Sequence, residues 1–197
     1  MLIYISGSKK LYFSQFNKHS SKIFNIFSMP VQHSFFQSPI GILQIKATDE
    51  HINAVLFTNT LKSAVRNTLP EIKESGHPLI KECEKQLMEY FDGQRIQFDL
   101  PLEQEGSIFQ QKVWAALTTI PYGRTISYME LSKRIGNVKA IRAVGTANGG
   151  NSICIIVPCH RVIGSNGDLT GYSGGLWRKK WLLGHEGKYA NGVQALF

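Results

Sequence analysis

Along this chain the spacing of apolar positions changes period near its middle. From Val31 apolar and polar residues alternate in short runs, Val31 to Phe36, Ile40 to Ala47 and Ile52 to Thr58, with Ser38-Pro39-Ile40-Gly41 marking a turn between the first two. That pattern predicts an antiparallel meander. The spacing then becomes helical, first over Lys62 to Leu69, then from Pro78, tolerated in a first turn, to Asp92. Leu79, Cys83, Leu87 and Tyr90 or Phe91 share a face of the second helix, so Cys83 reads as packing, and Gly93 closes the element. Arg95 to Leu100 is expected to add a strand before Pro101 and the polar Glu103-Gln104-Glu105-Gly106 linker. A first lobe should end near residue 106.

Capping signals organise the second half. Ser107-Ile108-Phe109-Gln110 is a capping box, and Phe109, Val113, Trp114 and Leu117 on one face predict a helix over 108–119. Ser127-Tyr128-Met129-Glu130 opens a second helix through Ile135, ended by Gly136-Asn137, and Lys139 to Asn148 reads as a third. This is helix-turn-helix spacing. In the third helix Ile141 and Val144 face inward, while Ala143, Gly145 and Ala147 leave a small exposed face from which Arg142 projects. Small residues allow close approach to a narrow DNA minor groove, whereas reading bases in the major groove calls for longer polar side chains; packing against another helix is the competing explanation.

Further on, the β-branched run Ile153 to Val157 reads as a buried strand ended by Pro158. His160 and Arg161 could not both be buried cheaply, so the chain should surface at Cys159. Asn166-Gly167-Asp168 is a turn, and Thr170 to Gly175 a glycine-rich loop without the Lys-Ser/Thr ending of a phosphate-binding loop. A last helix from Leu176 to Leu183 is expected to carry Arg178, Lys179 and Lys180 outward, with Gly184 as its cap.

Composition narrows the classes. The 197 residues, 43% of them apolar, suffice for two compact lobes, and no apolar run approaches the roughly 18 residues that a membrane-spanning helix needs. Cys83, Cys154 and Cys159 form neither a CxxC nor a metal-ligand spacing, so no disulfide framework, metal or cofactor is expected, and a reducing, cytoplasmic setting fits. The formal charge of +8 is divided unevenly: +4 over residues 1–28, −4 over 29–106 and +8 over 107–197. An acidic middle joined to a basic end suits a protein of which one lobe meets a polyanion, although a solvated basic surface would look the same. Residues 1–28 carry lysines and aromatics but no acid or arginine, are only faintly like a transit peptide, and receive no function.

The chemistry concentrates at Pro158-Cys159-His160-Arg161-Val162. Positive charge beside a thiol stabilises the thiolate, the nucleophilic form. His160 would serve as base and Glu186 as the group that orients it; adjacent side chains on extended backbone point apart, so a water between Cys159 and His160 is a natural bridge. For Glu186 alone, a surface carboxylate is an equally good reading.

This stretch resembles the active-site signature of the O6-alkylguanine-DNA alkyltransferases. Arg142-Ala143-Val144-Gly145 with Ala147-Asn148, Tyr172-Ser173-Gly174-Gly175, and Trp181-Leu182-Leu183 with His185-Glu186-Gly187 resemble further motifs of that family, in the same order, and the likeness runs from about Phe36 to Gly187. It implies an α+β protein with a ribonuclease H-like lobe over 29–106 and a winged helix-turn-helix lobe over 107–197. Met29 stands just before the family's usual beginning, which leaves residues 1–28 as an extension.

The implied activity is stoichiometric, irreversible transfer of an alkyl group from O6-alkylguanine in duplex DNA, secondarily O4-alkylthymine, to Cys159 of a monomer bound in the minor groove. By matching position, Cys159, His160, Glu186, Tyr128 and Asn151 would be catalytic. Tyr128 would give a hydrogen bond or proton toward guanine N3, and Asn151 would tie the recognition helix to the active-site segment. Arg142, Ala143, Gly145, Thr146 and Ala147 would contact DNA, with Arg142 filling the place of a flipped base. Val162, Tyr172 and Ser173 would line the base pocket. The chain departs from the pattern at Thr146, where small residues are common, and at Ser152, where proline is frequent; the zinc site of some relatives has no counterpart. Two rivals remain: a thiol hydrolase using Cys159, His160 and Glu186, and a helix-turn-helix damage-recognition or regulatory module that transfers nothing.

Overall fold

A computed structural model describes residues 31–58 and 75–190. Strands β1 (Gln32–Ser38), β2 (Gly41–Ala47) and β3 (Ile52–Phe57) form the expected antiparallel meander in the order β1-β2-β3, with Ser34 opposite Ile45 and Leu43 opposite Phe57. Ser38 Oγ donates to the Gly41 carbonyl, and Gly41 at φ +117 makes the turn that an L side chain would strain. The helix expected over Lys62 to Leu69 lies outside the described residues.

Helix α1 (Pro78–Phe91) lies on the meander, with Pro78 in its first turn and the His77 side chain as N-cap. It buries Ile80, Cys83, Leu87 and Tyr90, and each large apolar side chain removed from water stabilises the lobe by about 1.5–3 kcal/mol. No strand forms over Arg95 to Leu100. Gln86 reaches from α1 to clamp both backbone groups of Asp99, donating to its carbonyl and accepting from its N–H, while Arg95 pairs with Glu89 at 2.7 Å. Side chains thus take the backbone partners that a neighbouring strand would have supplied.

The second lobe is helical. Helix α2 (Ile108–Thr118) has both arms of its capping box; β4 (Ile126–Ser127), α3 (Tyr128–Arg134) and α4 (Ile141–Gly149) follow, and Ser127 caps α3. The Trp114 indole donates to the Ala147 carbonyl at 2.8 Å, fastening α4 to α2. Ala147 is therefore buried, and the exposed small-residue face of α4 is reduced to Ala143, with Gly145 half-buried above the Tyr128 ring. Strand β5 (Val162–Ile163) pairs in parallel with β4.

Several expectations about the later chain are overturned. Ile153 to Val157 is a turn, not a strand: Ile155 sits at φ +73, and the Val157 N–H donates back to the Ile153 carbonyl. A β-branched residue in that region costs on the order of 1–3 kcal/mol, offset here by the Asn151 side chain, which accepts from Ile153 N and donates to Val157 O. The β-branched run satisfies a strand pattern, but the short-range side-chain hydrogen bonds of Asn151 fold it into a turn.

The last helix, α5 (Leu176–Ala190), runs through Gly184 and Gly187 instead of stopping at Gly184. Each glycine costs about 1 kcal/mol relative to alanine there, and the contacts of half-buried His185 and buried Glu186 hold the helix together. Arg178 and Lys179 point inward, contrary to expectation, whereas Leu176 and Trp177 are exposed. Among the described residues no helix is long and apolar enough to cross a membrane.

The lobes meet at the edge of β3. Val55 N donates to the Ser152 carbonyl and Cys154 N to the Val55 carbonyl, so the segment after α4 extends the meander by one bridge. This covers an edge that would otherwise expose unpaired backbone, and it anchors the turn that leads to Cys159.

Candidate active site

Cys159 begins a single 3-10 turn, Cys159–Arg161, directly after Pro158. The chain does not surface there. Cys159 is 2% exposed, His160 0% and Arg161 6%, and the device that makes this burial tolerable is Glu186. Its Oε1 accepts from His160 Nε2 at 2.7 Å, Arg161 Nη2 at 3.0 Å and Tyr90 Oη at 2.9 Å, and its Oε2 accepts from Arg161 Nε at 2.9 Å and Gly123 N at 3.0 Å. Arg161 Nη1 also donates to the Ile120 carbonyl. A buried charge is affordable when its pairing is this complete.

This network fixes the imidazole. Burial would raise the Glu186 pKa, but His160 and the Arg161 guanidinium hold the carboxyl well below the usual carboxylate range. An ionised carboxylate only accepts, so His160 Nε2 carries the proton. Burial lowers the His160 pKa despite Glu186, which favours the neutral ring, and among the described residues Nδ1 meets no hydrogen-bond partner. The His160 ring is held in one tautomer, with Nδ1 as its accepting nitrogen.

The Cys159 thiol is shifted toward its thiolate. The chief cause is the neighbouring Cys154 thiol; the Asn151 side chain and the charge of Lys179 add to it, and together they outweigh desolvation. Lys179 is buried with its ammonium on the Val162 and Thr170 carbonyls, both at 2.6 Å, and burial brings its pKa down to about 8. Around this centre, Tyr128 Oη donates to the Thr170 carbonyl at 3.3 Å, and burial raises its pKa so that the phenol keeps its proton. Ser173 Oγ lies 4.0 Å from Cys154 Sγ, and the Tyr172 phenol is held up by burial and by Cys154.

Among the residues singled out from sequence, Cys159, His160, Glu186, Asn151, Tyr128, Val162, Tyr172 and Ser173 come together around this centre. Arg142, Ala143 and Thr146 are exposed on α4, and Ala147 faces the core. Sequence reasoning missed Arg161 as the partner of Glu186, and it missed Tyr90, Cys154 and Lys179. One signal was available: Glu186 is among only three acids in residues 107–197, so an arginine beside a candidate catalytic histidine had few carboxylates to meet. Nothing in the sequence pointed to Tyr90, 96 residues from its partner.

Fold and site together define a class: a helix-turn-helix lobe that holds a buried thiol next to a carboxylate-bound histidine, docked on a smaller sheet-and-helix lobe. Residues 108–188 match the DNA-binding domain of 6-O-methylguanine DNA methyltransferase and residues 31–104 its ribonuclease-like domain. The chain belongs to the 6-O-methylguanine DNA methyltransferase family. It is 45% identical over 155 residues to a methylated-DNA–protein-cysteine methyltransferase of Methanosarcina acetivorans, covering 79% of this chain and 97% of that protein. The crystal structure of Mycobacterium tuberculosis O6-methylguanine methyltransferase is 42% identical, with a TM-score of 0.72 over 81% of this chain and 94% of that one. Mycobacterium tuberculosis OGT in complex with DNA is similar at 42% identity, with a TM-score of 0.70 over 80% and 93% of the two chains.

Proposed function

We propose that this protein repairs O6-alkylguanine in duplex DNA by moving the alkyl group irreversibly to Cys159, once per molecule. The observation that carries the reading is the buried Cys159 thiol followed directly by a buried His160, whose Nε2 is fixed by Glu186 at 2.7 Å. His160 Nδ1 accepts the thiol proton through a water, and the thiolate attacks the alkyl carbon. The S–C bond forms as the C–O6 bond breaks, and the electron pair leaves with guanine. Tyr128, kept protonated by burial, gives its hydrogen bond or proton toward N3, and the proton that His160 took from Cys159 is passed back through water, so guanine leaves neutral with the phenol and the imidazole restored. The alkyl group stays on sulfur as a thioether, which ends the protein's use.

A stacked base shields O6, so the lesion must leave the helix, and a damaged pair costs less to open. Exposed Ala143 and half-buried Gly145 let α4 approach a minor groove, with Arg142 and Thr146 at its rim and Arg142 in the place of the flipped base. Val162, Tyr172 and Ser173 form the pocket wall, and Asn151 couples α4 to the turn before Cys159. The DNA-bound mycobacterial neighbour supports duplex binding. O4-alkylthymine is a secondary substrate, the working form is a monomer, and its free thiols suit the cytoplasm.

The test is intact-mass analysis of protein and duplex after incubation with O6-methylguanine DNA. One added methyl group on Cys159, matched by restored guanine and absent in Cys159→Ala, is expected. Lesion binding without mass gain would leave a recognition module instead, and repeated turnover of an ester would favour a hydrolase.

A further inference from the structure

Arg178 is the second buried cation of α5, and it faces the other lobe. Its Nε donates to the Ile40 carbonyl at 2.6 Å, in the β1–β2 turn, and its Nη1 donates to the Gly174 carbonyl at 2.6 Å, in the loop that carries Tyr172 and Ser173. The guanidinium lies 4.3 Å from the centre of the Phe57 ring at the end of β3 and 4.4 Å from that of Trp177. The fit is close on both sides. A Cβ at Gly41 would meet Arg178 Nη2 at 2.8 Å, and one at Gly174 would meet Phe57 at 2.7 Å.

Lysine could not reproduce this arrangement, because a planar guanidinium directs N–H groups to two carbonyls while its faces stack on rings. The loop's other end is held from within the second lobe, where Lys179 takes the Thr170 carbonyl. Adjacent residues of α5 therefore pin the two ends of one loop, and only the Arg178 pin reaches the ribonuclease-like lobe.

We propose that Arg178 is a positioning residue for alkyl transfer: by joining Ile40 to Gly174 it sets the Tyr172–Ser173 backbone against Cys159, so that the ribonuclease-like lobe governs the transfer rate. The inference rests on the function proposed above. It assigns that lobe a role in the reaction although none of the proposed reacting groups belongs to it. Catalysis depends on holding groups within fractions of an ångström, so a loop freed at one end loses rate before it loses affinity.

Full-length wild-type, Arg178→Lys and Arg178→Ala proteins would be compared by rapid-quench transfer from an O6-methylguanine duplex at saturating protein. Duplex affinity, labelling of Cys159 by methyl methanethiosulfonate, and amide exchange over 172–175 would be measured beside it. The maximal transfer rate is expected to fall at least tenfold in Arg178→Ala and at least threefold in Arg178→Lys. Affinity and labelling should stay within twofold, and exchange over 172–175 should quicken. An Arg178→Lys protein with wild-type rate and exchange would overturn the proposal, as would a rate loss matched by equal losses of affinity and labelling, which marks general damage. If the wild type transferred nothing, the functional reading would fall at once, while unchanged loop exchange in Arg178→Lys would separately sink the positioning claim.

Discussion

Cys83 and Cys159 are buried almost equally, at 0% and 2% exposure, yet the two regions around them drive their thiols in opposite directions. In the core under α1, burial pushes the Cys83 thiol up to about 12, and Glu84 and Glu82 add to the effect. In the turn before β5, burial acts on Cys159 in the same sense but is outweighed by the Cys154 thiol, Asn151 and Lys179. Burial by itself makes a cysteine inert. Reactivity comes from donors and charge placed where water has been removed, and that placement is what the second lobe supplies.

Glu186→Ala should have the largest effect on this contrast. It leaves the buried Arg161 without its carboxylate, and urea unfolding should show a loss of about 3–5 kcal/mol. Glu186→Gln sharpens the point through pH. Because the folded pKa is depressed, the carboxylate's contribution is complete above the unfolded value of about 4.3 and is lost as pH falls toward the folded one. The stability gap between wild type and Glu186→Gln should therefore be constant near neutrality and narrow below about pH 4.3.

A smaller effect is expected from Cys154→Ala, which removes the chief influence favouring the Cys159 thiolate and makes Cys159 more like Cys83. The pH midpoint for methyl methanethiosulfonate labelling of Cys159 should rise. A hydrogen bond to a charged group is worth about 1.5 kcal/mol at the low end, so labelling at neutral pH should slow roughly tenfold, with Cys154→Ser recovering part of the loss. An unchanged midpoint would show that Asn151 and Lys179 suffice. The least effect belongs to Cys83→Ala: a cost of about 1 kcal/mol for the emptied space, and a transfer rate within twofold of wild type. A larger rate loss there would break the contrast between the two thiols.

Local signals were legible where backbone chemistry is local. The meander, α1 and α2 follow from alternation, helical spacing and caps, and the helix-turn-helix spacing agrees with α3 and α4 within two residues at each boundary. The motifs also drew attention to Cys159, His160 and Glu186, which the fold brings together. The mistakes share a cause. Arg95 to Leu100 and Ile153 to Val157 look like strands only while the partners of their backbone groups are unknown; Gln86 and Asn151 take those partners instead. Arg178 and Lys179 look like surface cations until carbonyls from distant segments surround them.

The sequence by itself determined the helix starts, the meander, the basic second lobe and the thiol with its histidine, because caps, periodicity and charge act through near neighbours. Tertiary structure alone decided that His160 and Arg161 could be buried, that Arg178 would turn inward to the Ile40 carbonyl, and that α5 would continue through two glycines. Each of those outcomes depends on a buried polar group meeting a partner far away in the chain, and in a low-dielectric interior the presence of that partner decides whether burial costs or stabilises.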